Sequence, residues 1–250
     1  MIGNLKILFH QGKQFIPDAT KADLPGVFRG IPMITDGEVD GEALKDICPT
    51  GAISTAPVSI DLGKCTFCGE CAFAFPGKIK FTKNYKMASN NRDSLIIKEN
   101  DVNPALMNPD LIREEISRYF RGSLKLRQVS AGGDNSCELE LNACGNVNFD
   151  MGRFGIEFVA SPRHADGIVI TGPITTNMAD PLLSCYEAVP EPKIIILVGT
   201  DAISGGIFQG SLALNRSFLS DHHIDLFVPG NPVHPLTFIN GVLELIKRRR

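Results

Sequence analysis

Cysteine is the residue type best placed to do chemistry in this chain, because four of the seven cysteines lie close together. Cys65, Cys68 and Cys71 follow one another at C-x-x-C-x-x-C spacing, and Cys48 stands upstream in a Cys-Pro pair. Thiolates are soft ligands, which suit zinc and iron–sulfur clusters better than hard cations do. The first residues do not resemble a signal peptide, and in a chain without an export signal a tight group of cysteines indicates metal ligation before disulfides.

The spacing of these cysteines is similar to one half of a two-cluster bacterial ferredoxin. Such ferredoxins use the run C-x₂-C-x₂-C-x₃-C-P, in which the last cysteine serves the other cluster. Here the position of that last cysteine is Phe75, followed by Pro76, so the frame is kept and the thiol is absent. Upstream, Cys48 and Pro49 are similar to the end of a preceding run.

Two complete ligand sets follow from these runs, and one of them is intact. The intact set consists of Cys48, Cys65, Cys68 and Cys71, whereas the other falls on residues without thiols: Glu38, Gly41, Leu44 and Phe75. We therefore predict one [4Fe–4S] cluster bound by the four cysteines. A structural zinc ion on the same thiolates is the alternative, although Cys₄ zinc sites favour two separated pairs. Three phenylalanines are predicted to pack around the loop and exclude water from the sulfur atoms: Phe67, Phe73 and Phe75.

The overall composition is that of a globular protein. The 250 residues are 43% apolar and 21% charged, with a mean hydropathy of +0.04. The formal net charge is −3, so no basic surface field attracts nucleic acid, and we expect no nucleic-acid partner. No stretch contains the ~18 apolar residues that a membrane-spanning helix requires. We expect a cytoplasmic protein.

Two regions with different patterns follow one another, and we predict a domain boundary between Lys98 and Asn108. The first domain, residues 1–100, contains only brief candidate strands: Ile53–Thr55, Val58–Asp61, Ile79–Thr82 and Leu95–Lys98. The second, residues 108–250, begins with a predicted helix over residues 109–120 and then alternates strands with helices. Its predicted strands are Leu124–Ser130, Ile156–Ala160, Gly167–Ile170, Lys193–Val198 and Asp225–Val228, and its later helices begin at Cys137, Ala179 and Pro235. Such alternation predicts a parallel sheet covered on both faces, with its site at the loops after the strands.

The second region resembles the small iron–sulfur subunit of group 4 [NiFe]-hydrogenases, formate hydrogenlyases and the related 20 kDa subunit of complex I. The motifs are RFGIEFVASPRHADGIVITG at residues 153–172, SGGIF from Ser204 and VPGNP from Val228. Phe28-Arg-Gly-Ile-Pro, together with the cysteine run, is similar to the ferredoxin-type subunit of the same complexes. The resemblance implies a ferredoxin-like α+β domain followed by a flavodoxin-like α/β domain. It also implies a hydrogenase-large-subunit-like partner, further subunits of a membrane-bound complex, and a peripheral location on the cytoplasmic face of the membrane.

The resemblance also implies a second, proximal cluster whose ligand positions are degenerate here. Members of the family hold this [4Fe–4S] cluster with four cysteines, and the matching positions are Asp134, Cys137, Asp201 and Asn231. Carboxylate oxygens and a neutral amide bind soft cluster iron poorly, so we expect no proximal cluster. Three interpretations stay open: a vacated, hydrogen-bonded pocket, a divalent cation site, and an altered cluster. Glu138, one residue after Cys137, is interpreted as a first-turn carboxylate favoured by the helix dipole.

Taken together, the patterns predict an electron-transfer subunit of a hydrogenase-like or complex-I-like assembly that does not turn over substrate alone. One alternative is a structural or assembly subunit with a non-redox metal site. The other is a flavodoxin-like protein that binds FMN, since residues 171–177 (TGPITTN) form a Gly/Thr/Asn loop after a strand that could cradle a phosphate.

Overall fold

The structure is a computed structural model that describes residues 2–12, 14–101, 104 and 106–248. The boundary predicted between Lys98 and Asn108 therefore includes positions 102, 103 and 105, which lie outside the described residues. Within the described part of the chain, each helix is too short or too polar to cross a membrane.

The amino-terminal part consists of an exposed helix followed by short strands and helices in a repeated order. Its elements are α1 (Ile2–Gln11), β1 (Pro32–Ile34), α2 (Gly41–Asp46), β2 (Ile53–Thr55), β3 (Val58–Asp61), α3 (Glu70–Ala74), β4 (Ile79–Phe81) and β5 (Ile96–Lys98). The outer strands β1 and β4 pair antiparallel, while β2 and β3 form an antiparallel hairpin that β5 extends. A strand–helix–strand unit thus occurs twice, and the two copies face each other.

The carboxy-terminal part is an α/β sandwich around a parallel sheet. Its elements are α4 (Glu114–Tyr119), β6 (Leu124–Ser130), α5 (Ser136–Ala143), β7 (Ile156–Phe158), β8 (Gly167–Thr171), α6 (Thr176–Glu187), β9 (Ile194–Val198), α7 (Thr200–Ser204), α8 (Ser217–Asp221), β10 (Leu226–Val228) and α9 (Pro235–Leu245). Within the described residues, five strands form the sheet in the order β7-β6-β8-β9-β10. This is the flavodoxin-like order 2-1-3-4-5. The α/β fold predicted for this region is confirmed.

The central strands of the sheet are buried on both faces. Every residue of β8 and β9 is buried, as expected for nearly continuous Ile and Val runs in a covered parallel sheet. Successive side chains alternate between two cores: Ile168 and Ile170 share one with Ile60 of β3, whereas Val169 shares the other with Phe238 of α9. The amino-terminal part therefore packs directly on one face of the sheet.

The single helix predicted over residues 109–120 is wrong, because the structure divides it. A 3₁₀ turn covers Pro109–Leu111, and α4 begins only after an extended backbone at Ile112 and Arg113. That extension directs the Arg113 guanidinium toward the sheet. It donates to the Asp225 carboxylate at 2.8 Å and to the Lys193 carbonyl at 2.6 Å.

Candidate metal centre

The four cysteines predicted as ligands line one narrow cavity in the amino-terminal part. Cys48 follows α2, Cys65 follows β3, Cys68 lies on the loop between them and α3, and Cys71 lies in the first turns of α3. The loop turns sharply at Phe67 and Gly69, whose φ angles are 54° and 86°. Glycine adopts such left-handed values without a Cβ penalty. This turn brings three successive thiols of a short run to the same cavity.

Backbone amides point at two of the sulfur atoms. The Ala52 amide donates to Sγ of Cys48 at 3.2 Å, and the Phe67 amide donates to Sγ of Cys65 at 3.3 Å. Hydrogen bonds to the charged form of an acid favour that form. The loop therefore supplies dipoles that stabilise thiolates, which is the protonation state that binds metals.

Burial opposes ionisation of the same thiols. It raises the pKa of Cys65 to about 12 and that of Cys71 to about 11, and the neighbouring cysteines raise both further. Both groups are neutral thiols at neutral pH unless a cation compensates their charge. Metal binding to this set of donors must therefore release protons.

The walls of the cavity are largely apolar. Ile47, Ile53, Ile60 and Phe81 line it beside the sulfur atoms. Of the three phenylalanines predicted to shield the loop, Phe67 is buried and Phe75 packs against the core, but Phe73 is 86% exposed and that prediction is wrong. Cys68 is the exposed member of the cysteine set. The centre thus has a buried side and one side that faces solvent.

The positions of the lost ferredoxin ligands are occupied by packing. Leu44 of α2 is fully buried, and Phe75 packs against the same core. A Cβ at Gly41 would lie 3.2 Å from Cβ of Thr55. Glu38 is exposed. Apolar side chains thus fill space on this side of the repeated unit.

The four degenerate positions lie on loops after β6, β9 and β10. Cys137 is buried, and its Sγ would lie 2.6 Å from a Cβ at Gly199. Burial raises its pKa to about 11, although the Val233 amide donates to it. The loop after β10 is therefore packed against this thiol, which is neutral at pH 7.

The two carboxylates of this set have different surroundings. Asp134 is exposed and accepts hydrogen bonds from the Ser136 hydroxyl at 2.6 Å and its amide at 3.0 Å, which lower its pKa. Asp201 has one buried oxygen, Oδ1, without a hydrogen-bond partner among the described residues. Burial raises its pKa, and the charge of Asp134 adds to this effect. Asp134, Cys137 and Asp201 are thus electrostatic neighbours.

Asn231, the fourth position, faces the cysteine loop. It lines a cleft of about 430 Å³ together with Cys68, Arg29 and His234. The two predicted sites are therefore adjacent, although they are far apart in sequence. In the described residues, no group of three or more His, Cys, Asp or Glu side chains is arranged to hold a single metal ion.

Glu138 and the predicted phosphate loop have structural roles. The Glu138 side chain is buried and accepts hydrogen bonds from the hydroxyls of Ser130 at 2.5 Å and Thr171 at 2.7 Å. The Thr176 amide, at the start of α6, donates to the Ala213 carbonyl at 2.8 Å. A hydroxyl and an amide that a phosphate would need are thus bonded within the chain, and the geometry gives the FMN interpretation no support.

Sequence reasoning missed Thr200, which connects the two sites. Its hydroxyl donates to the Cys65 carbonyl at 2.8 Å, across 135 positions of sequence. No local pattern marks this residue, because the contact depends on how the sheet and the cysteine loop pack.

Comparison with known proteins identifies the family. The profile described as "NADH ubiquinone oxidoreductase, 20 Kd subunit" matches residues 135–245. The chain is 35% identical to the probable membrane-bound hydrogenase subunit mbhJ of Pyrococcus furiosus, over 54% of this chain and 80% of that protein. It is 36% identical to an NADH-quinone oxidoreductase subunit of Heliobacterium modesticaldum, over 67% and 91%, and 35% identical to formate hydrogenlyase subunit 7 of Escherichia coli, over 52% and 51%. The chain belongs to the family of the 20 kDa subunit of NADH:ubiquinone oxidoreductase.

Proposed function

We propose that this chain is an electron-transfer subunit with one [4Fe–4S] cluster, held by Cys48, Cys65, Cys68 and Cys71. The observation that carries the proposal is that these four thiols line one cavity, two of them with amide donors on sulfur. When bound, such a cluster accepts and releases one electron at a time. The chain's own residues hold the sulfur atoms, exclude water with an apolar wall, and leave Cys68 exposed for exchange with a partner.

We propose further that residues 1–100 form a ferredoxin-like domain and residues 108–250 a separate flavodoxin-like domain. The repeated strand–helix–strand order and the pairing of β1 with β4 support the first assignment. The family profile begins at residue 135, so it covers only the second region. The chain would thus combine two electron-transfer modules that lie in contact.

The second site is proposed to lack a cluster. Its donors are two carboxylates, one amide and one neutral buried thiol, whereas cluster iron requires thiolates. Electrons would then pass between the four-cysteine centre and a partner without a stop at the degenerate site.

The names of the relatives suggest the partners. They are subunits of a membrane-bound hydrogenase, an NADH-quinone oxidoreductase and a formate hydrogenlyase. By analogy we propose a hydrogenase-large-subunit-like partner, further subunits of a membrane complex, and a peripheral position on the cytoplasmic face of the membrane.

Elemental analysis and EPR spectroscopy of the anaerobically purified full chain test this proposal. We expect about four irons and four sulfides per chain, and a signal that appears on reduction. Cys65→Ser should lose the iron and the signal, whereas the matched variant Cys137→Ser, at the degenerate site, should keep both.

The opposing results are distinct from one another. About eight irons would place a second cluster at Asp134, Cys137, Asp201 and Asn231. Zinc without iron would replace the redox role by a structural one. Loss of iron in Cys137→Ser would show that the degenerate site binds metal.

A further inference from the structure

All three polar groups of Cys65 are engaged, and one of them bonds to the other half of the molecule. Its amide donates to the Asp61 carbonyl at 2.9 Å, and its Sγ accepts from the Phe67 amide at 3.3 Å. Both partners lie on the same loop. Its carbonyl accepts from the hydroxyl of Thr200 at 2.8 Å, from the beginning of α7. This bond joins the cysteine loop to the carboxyl edge of the parallel sheet.

Thr200 is held rigidly in this position. It is fully buried, and its own amide donates to the Gly230 carbonyl at 2.9 Å. The Gly230 carbonyl oxygen also lies 3.3 Å from the hydroxyl, but a hydroxyl has one proton and the bond to Cys65 is the shorter. The proton of Thr200 is therefore directed at the Cys65 carbonyl.

A second contact holds the same loop against α7. A Cβ at Gly63 would lie 2.7 Å from Cγ2 of Ile203 and 2.9 Å from the Arg92 guanidinium, so only glycine allows this approach. Arg92 in turn binds the Asp61 carboxylate with two bonds of 2.8 and 2.6 Å. The loop that carries Cys65 is thus clamped between its own domain and the sheet.

We propose that Thr200 is a positioning residue for the four-cysteine centre, and that its hydrogen bond to Cys65 raises the reduction potential of the bound cluster. The inference rests on the proposed function, because it requires a cluster on Cys65. The positive end of the hydroxyl dipole points toward the ligand residue, and a reduced cluster is the more negative state. The dipole therefore favours the reduced state, as hydrogen bonds near cluster ligands do.

Potentiometric EPR titration of three full-length variants tests the proposal. Thr200→Val keeps the shape but removes the donor, so we expect a full complement of iron with a more negative potential. Thr200→Ser keeps the hydroxyl and should restore the wild-type potential. Thr237→Val is the matched control: Thr237 is also fully buried, but its hydroxyl has no hydrogen-bond partner among the described residues, and its removal should leave the potential unchanged.

The outcomes separate this inference from the proposed function. An unchanged potential in iron-loaded Thr200→Val overturns the positioning role, even if the variant is less stable, because a purely structural contact lowers stability without moving the potential. If Thr200→Val does not fold, Thr200→Ala removes the same donor with less bulk, and an unchanged potential there has the same meaning. Absence of iron from the wild-type chain overturns the proposed function instead.

Discussion

Cys137 is the one thiol left among the four degenerate positions, and its surroundings keep it neutral. It is buried against Gly199, and burial raises its pKa from 9.0 to about 11. The nearby carboxylates Asp134 and Asp201 add to this rise. A neutral thiol beside two acids is a poor ligand for cluster iron, which agrees with the proposed loss of the proximal cluster.

The raised pKa of Cys137 predicts a loss of stability at alkaline pH. Above pH 9 the unfolded chain releases the thiol proton, whereas the folded chain retains it up to about pH 11. The unfolded state then binds fewer protons, so the free energy of unfolding falls by at most ~1.4 kcal/mol per pH unit between these values. Below pH 9 this contribution is fully present. Urea unfolding at pH 8 and pH 10.5 measures the effect.

Cys137→Ala is the variant to compare, because it has no thiol to titrate. Its absolute stability also changes through lost packing, so the pH dependence is the quantity to compare. We expect a shallower decline than in the wild type. Equal slopes for the two proteins would contradict a protonated, buried Cys137.

At the scale of elements, α2 and α3 occupy corresponding places in the repeated unit but do different work. Helix α3 carries Cys71 toward the cavity, whereas α2 carries Leu44 into the core. Asp40 begins α2 by accepting hydrogen bonds from the Glu42 and Ala43 amides, each at 3.1 Å. The helix that lost its ligand is thus retained as a capped packing element.

Replacement of Leu44 tests whether apolar packing has taken the place of a second cluster. Because the side chain is fully buried, Leu44→Ala should lower the free energy of unfolding by ~2–5 kcal/mol while the iron content stays the same. Leu212→Ala is the control, since Leu212 is 100% exposed, and its effect should stay within about 0.5 kcal/mol. Denaturant titration and iron analysis give both results. Loss of iron in Leu44→Ala would mean that this position supports the cluster directly.

At the scale of the whole molecule, the amino-terminal part is joined to the sheet at several places. Ser89 pairs with Phe227 of β10. The Ile16 amide donates to the Asn148 carbonyl at 2.9 Å. Together with the shared core and the Thr200 bond, these contacts couple the metal centre to the sheet. We therefore expect both parts to unfold together.

Removal of the metal tests this coupling. The metal-free chain should unfold at a lower temperature than the loaded chain, because metal binding stabilises only the folded state. Each kcal/mol of stabilisation corresponds to roughly 2–4 °C for a chain of this size. Calorimetry and far-ultraviolet circular dichroism should show one transition in both states. Two transitions, of which only one moves with the metal, would show that the parts fold independently.

Local patterns predict the buried strands well and the short helices poorly. The runs in β6 and β9 are long and apolar, so their positions follow from sequence, and β9 begins at Ile194, one residue after the predicted start at Lys193. Helices α2 and α7 span six and five residues, which is too short for a helical period to be recognised. Arg113 divides the predicted helix because its partners, Lys193 and Asp225, come from distant strands.

The sequence by itself determined the candidate ligands, because a cluster-binding run is a matter of local spacing: Cys65, Cys68 and Cys71 lie on one turn of chain wherever that turn is placed. It also indicated, through resemblance, the family and the loss of thiols at Asp134, Asp201 and Asn231. Only the tertiary structure decided that the two sites are neighbours and that Thr200 bonds to Cys65. Such contacts arise when an apolar sheet and a small β domain bury their surfaces against each other, and residue spacing along the chain carries no record of that packing.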